Sequence, residues 1–121
     1  MPMTRTLADD VLQFRLEDER LTMTGSEPFA RSGRSARTLV KDGPLRVTLI
    51  ALGAGGRIAE HRAEGPITIQ PVQGTIHVEA RGQVRSVGAG ELLALGAGVE
   101  HAVAAQEPAA FLLTVAAPAG A

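Results

Sequence analysis

From Arg37 to Ala116 glycine cuts the chain into brief apolar segments at regular spacing, and this constrains the fold more than any other feature. Thr38 to Lys41 is followed by Asp42-Gly43-Pro44. Glycine tolerates positive φ there and proline has no N–H for a ladder, so a tight turn is expected. Leu45 to Leu52 alternates, with Leu45, Val47, Leu49 and Ala51 on one face and Arg46 and Thr48 on the other, as in a half-buried strand. After a break at Gly53 to Gly56 come Arg57 to His61, Ile67 to Val72, Thr75 to Ala80, Val84 to Val87, Glu91 to Leu95, Val99 to Ala105 and Ala110 to Ala116. Gln73-Gly74 and Arg81-Gly82-Gln83 read as hairpin turns. About nine short strands at this spacing predict an all-β sandwich or barrel of antiparallel sheets.

Residues 1 to 36 are expected to pack on this barrel as an N-terminal segment, with residues 37 to 117 forming the barrel and 118 to 121 a tail. Leu12, Phe14 and Leu16 alternate as in a strand, while Leu7, Val11 and Phe14 share a helical stripe, and both readings stay open. Gly25 to Ser35 is polar and rich in turn formers and reads as a loop. Helix should be scarce and confined to this third of the chain.

At 121 residues there is material for a single core. Twelve Lys and Arg against thirteen Asp and Glu leave a net charge of −1, which gives no broad field for nucleic acid or anionic lipid. Trp and Tyr are absent, so no aromatic platform exists for stacking bases. Without cysteine there is no thiolate nucleophile, disulfide or sulfur-ligated metal. The N-terminus lacks the apolar run of a signal peptide and no stretch is long enough to span a bilayer, so the expected location is the cytoplasm, with neither nucleic acid nor membrane as partner.

The residues that carry chemistry are His61 and His101, each in a glycine-punctuated strand pair. A neutral imidazole binds a metal or accepts a proton; it also serves in packing, with its nitrogens on backbone or water. Arg57 shares strand parity with His61 and could present a guanidinium to a small carboxylate. His77, between Ile76 and Val78, is expected on the outer face. Gly53 to Gly56 lack the strand-then-helix context of a phosphate-binding loop, and Ser32, Ser35 and Ser86 have no triad setting.

Gly55, His61 and Gly74, followed by Gly90, Gly98 and His101, resemble the two motifs of the cupin superfamily, in particular its small single-domain bacterial members. The resemblance implies a double-stranded β-helix, two antiparallel sheets curled into a jelly-roll barrel with a pocket at one mouth. In metal-binding cupins two histidines and a glutamate of the first motif and one histidine of the second hold one divalent ion. Here Ala63 stands at the second histidine position and Ile67 at the glutamate position, and neither side chain donates to a metal. Glu60 should face away from His61, Gln70 should leave the pocket, and Glu64 lies in a loop from which it could fold inward.

The expectation is a barrel with a modest apolar pocket carrying Arg57, His61 and His101 as ligand-binding residues. His61 and His101 form an incomplete site for a divalent ion such as Zn, Ni, Fe or Mn, or for none. The alternatives are a divalent-metal-dependent dioxygenase or isomerase of a small metabolite, and a non-catalytic scaffold. A homodimer is expected under all three, since cupins commonly pair and strand edges need covering.

Overall fold

The computed structural model describes residues 6–117; the tail expected at 118–121 lies outside the described residues. Two short helices, α1 (Leu16–Thr24) and α2 (Glu27–Ser32), precede nine strands. These are β1 (Arg34–Asp42), β2 (Leu45–Leu52), β3 (Arg57–His61), β4 (Ile67–Gln73), β5 (Thr75–Ala80), β6 (Gln83–Gly88), β7 (Leu93–Leu95), β8 (His101–Ala104) and β9 (Ala109–Ala116). They form one sheet in the order β1-β2-β9-β4-β7 and another in the order β3-β8-β5-β6, and neighbouring strands pair antiparallel throughout. This is the all-β arrangement of antiparallel sheets that the spacing predicts, in the jelly-roll form that the cupin resemblance implies.

The main core lies between the sheets. Ile50, Leu52, Ile67, Ile69, Ile76, Val78, Val87, Val103 and Phe111 interdigitate there, each buried. Along β4 and β5 this is the period-two pattern read from the sequence, whereas on β2 the core takes Ile50 and Leu52 from the face of Arg46 and Thr48, and Leu49 and Ala51 of the apolar face read from the sequence lie on the other side. A second cluster lies on the other side of the first sheet, where Leu39, Leu49, Ala51 and Ala110 meet Met23, Phe14, Leu16 and Phe29 of the N-terminal segment. β2 is therefore buried on both faces from Leu49 to Leu52, where the alternation alone predicted a half-buried strand. The helices supply the missing cover.

The N-terminal third corrects two expectations. Residues 7–9 and 11–15 have no regular structure, so Leu12, Phe14 and Val11 belong to neither a strand nor a helical stripe, and Val11 is 81% exposed. The stretch read as a loop from Gly25 holds α2, capped by Ser26, whose Oγ accepts from the Phe29 N–H at 3.5 Å, and closed by Gly33 at φ 74°. An N-cap serine, a proline in the first turn and an i,i+4 pair between Glu27 and Arg31 were the helix signals in that stretch. In α1 the Arg20 guanidinium hydrogen-bonded to Glu17 holds that carboxyl below its ordinary range.

Among the described residues no helix is long and apolar enough to cross a membrane.

Candidate functional site at the paired histidines

β3 and β8 are neighbours in the second sheet, and their register sets His61 directly opposite His101. The ring centroids are 4.3 Å apart with the planes tilted by 55°. His101 follows the parity of Val103, which faces the core, and is 2% exposed. His61 is exposed, so solvent reaches the pair from the β3 side.

A bulge creates this pairing. Arg57 pairs with Ala104 and Ile58 with Val103, yet the next partners are His61 and His101, so β3 spends three residues where β8 spends two. The extra residue returns His61 to the inner face that Ile58 occupies. It also breaks the parity that tied Arg57 to His61. Arg57 sits on the opposite face from Ile58, exposed, and its carbonyl accepts from Arg34 Nη1 at 3.4 Å. The structure therefore brings His61 and His101 together and leaves Arg57 outside, because a strict alternation over Arg57 to His61 overlooked the bulge.

The rings are held by their own backbone. His61 Nδ1 lies 3.0 Å from the Ala59 carbonyl, and His101 Nδ1 lies 3.0 Å from the Val99 carbonyl. A carbonyl only accepts, so in each neutral ring Nδ1 carries the hydrogen and Nε2 keeps its lone pair. This is the tautomer that metal-binding histidines use, with the far nitrogen free.

The other two motif positions are hydrocarbon. Ile67 is 4% exposed within the main core, and Ala63 packs against the same cluster. Gln70 is exposed, and so is Glu64. Glu60 lines a cleft of about 300 Å³ with Arg62, Glu79, Arg81 and Glu100, away from the barrel interior. Among the described residues no group of three or more His, Asp or Glu is placed to hold a metal ion. His77 lies between the buried Ile76 and Val78, and its Nδ1 meets Ser86 Oγ at 3.1 Å on the outer side of the sheet.

The loops that carry the site are tied together. Gly98 N–H donates to the Ala63 carbonyl at 2.9 Å, and Ala116 N–H donates to the Pro66 carbonyl at 3.1 Å. Gly65 permits the second contact, since a Cβ there would stand 1.9 Å from the Ala116 oxygen. The motif reading passed over this glycine because its role is a close approach across the barrel, invisible in local spacing. Four clefts of about 300 to 440 Å³ are lined by residues other than His61 and His101.

No protein-family model matches the chain, and no curated protein matches it. Solved structures do. A conserved protein of unknown function from Streptococcus pyogenes is 27% identical with a TM-score of 0.67, over 73% of this chain and 77% of that one. A cupin-2 domain protein from Shewanella frigidimarina is 18% identical with a TM-score of 0.67, over 84% and 91%. A variant of salicylate 1,2-dioxygenase from Pseudoaminobacter salicylatoxidans is 18% identical with a TM-score of 0.79, over 93% of this chain and 37% of the enzyme. The chain has the cupin fold.

Proposed function

We propose that this cupin-type barrel binds a small molecule, or a loosely held divalent ion, at His61 and His101. The observation that carries the reading is the pair of imidazoles with centroids 4.3 Å apart, each with Nδ1 on a backbone carbonyl, which leaves Nε2 to a ligand. The fold family implies a metal, and two imidazoles suit a first-row divalent ion. As a permanent catalytic centre the residues do not fit, because Ala63 and Ile67 replace two donors and a catalytic ion needs about three protein ligands. Any ion here completes its shell from solvent or from a bound ligand.

The likeness to a dioxygenase fold supports a second reading, a metal-dependent dioxygenase or isomerase. It requires one more donor, for which the exposed Glu64, in the loop between β3 and β4, is the candidate able to fold inward. A homodimer joined through the second sheet's outer face accompanies either reading: α1 and α2 cover only the first sheet, while Val84 on β6 stands 64% exposed.

The test is to purify the protein without chelator, measure bound metal by mass spectrometry, and titrate Zn²⁺ and Ni²⁺ calorimetrically into the unmodified protein and His101→Ala. Weak binding that disappears in the variant supports the reading. Identical behaviour of the two proteins overturns the metal branch.

A further inference from the structure

Cross-strand partners share a face of the sheet, so the register identifies the side chains that look into the barrel. On the first sheet Lys41 pairs with Arg46, Arg46 with Val115, Val115 with Ile67 and Ile67 with Leu95. Val115, Ile67 and Leu95 belong to the main core, which puts Lys41 and Arg46 on the inner face. On the second sheet Arg85 pairs with Val78, and Gln83 pairs with Ala80, itself the partner of His101. Arg34, opposite Leu52, is likewise on the inner face.

Every charged residue that the strand register places on that face is basic. The strand carboxylates lie elsewhere: Asp42 pairs with Leu45 on the outer face, Glu79 pairs with Val84, and Glu60 lines the outer cleft with Glu79. Lys41 and Arg85 occupy edge strands, where a charge is an ordinary device against edge pairing. Arg46 does not. It is exposed on β2, which is paired on both sides, in the row that holds Ile67.

Its position relative to the histidines follows from the chain. The Arg34 to Arg57 contact joins the starts of β1 and β3 at one seam. From there β1 runs to Lys41, opposite Arg46, and β3 runs to His61, so Arg46 and the imidazoles lie at the same end of the barrel. β2 and β8 are each the second strand from that seam. Arg46 therefore stands on the inner face of the facing sheet, at the same end of the barrel as His101 and nearer its rim.

We infer that the occupant of this mouth is a short hydroxy carboxylate, an inference that rests on the histidine pair being a ligand site. Each ring offers only an acceptor, so a ligand bound without metal must donate, as a hydroxyl does. Arg46 offers only donors and a positive charge, which a carboxylate accepts. Val115 and Leu95, both half-buried, share this row and offer the carbon skeleton an apolar wall. An amine is repelled by Lys41 and Arg46, a simple carboxylate leaves the imidazole lone pairs unmet, and a neutral diol leaves the guanidinium unused.

The experiment follows the imidazole nitrogens of the full chain by long-range ¹H–¹⁵N NMR while lactate or malate is added, beside propionate, propane-1,2-diol, 2-aminoethanol and inorganic phosphate. Lactate or malate shifts both rings, and the other four bind at least about tenfold more weakly. Arg46→Gln weakens the hydroxy acids about ten- to hundredfold, the loss expected for a charged hydrogen bond; circular dichroism checks its fold, and Lys41→Gln is the second variant should the first misfold. The inference is overturned if neither hydroxy acid moves the rings, if diol or phosphate moves them as strongly, or if the variant binds like the parent. Zinc titration of the parent tests the histidine pair by itself: rings that answer zinc but no hydroxy acid reject only the ligand class, and rings that answer neither reject the site as well.

Discussion

His61 lies directly across the β3–β8 ladder from His101, centroid to centroid at 4.3 Å, although only His101 is buried. One ring is thus fixed by the core and the other borders solvent, an arrangement that lets a ligand enter from the His61 side without opening the barrel. Removing either imidazole should lower zinc affinity by at least about tenfold, or ~1.4 kcal/mol, since each supplies one of two nitrogens. Calorimetry of His61→Ala and His101→Ala checks this, and unchanged affinity in either variant contradicts the pairing.

The hydrocarbon at the remaining motif positions explains why the pair stops short of a full centre. The double substitution Ala63→His with Ile67→Glu restores the cupin donor set. Without metal it should be destabilised, since Ile67 is 4% exposed and a carboxylate there is buried unpaired. A divalent ion at a hundred times its dissociation constant should return about 2.7 kcal/mol. Thermal melts with and without Zn²⁺ measure this, and a variant that melts alike in both would show that the two positions do not converge with the histidines.

Gly65 brings the loop between β3 and β4 against β9. Gly65→Ala forces a Cβ into the Ala116 carbonyl and should cost about 2–3 kcal/mol in urea unfolding. Gly96→Ala, whose Cβ would meet nothing nearer than Val99 Cγ2 at 4.0 Å, should stay within about 0.5 kcal/mol. Equal effects would contradict the close approach.

Met23, 3% exposed, closes the outer cluster on the first sheet, whereas Leu21 in the same helix is 53% exposed. Met23→Ala should cost about 2–5 kcal/mol and Leu21→Ala less than about 0.5. A small loss at Met23 would mean that α1 adds no cover to β2.

How far the sequence carries depends on whether a signal is local. Alternation and glycine turns made the barrel strands legible because both act within a few residues. The double burial of Leu49 to Leu52 was hidden because it depends on helices far upstream, and α1 has too weak an apolar face to advertise its docking. Arg57 was misplaced by one bulged residue, which moves nothing in the composition yet reverses a face. The histidines were found by motif spacing, but the orientation of their rings depends on the Ala59 and Val99 carbonyls and appears only in three dimensions.

Nitrogen-15 NMR of the two imidazoles in their neutral form tests the central claim most directly. The account predicts hydrogen on Nδ1 and a bare Nε2 in both rings, with both Nε2 signals moving together as Zn²⁺ is added. A hydrogen on Nε2 of either ring, or a zinc response from one ring alone, would contradict it.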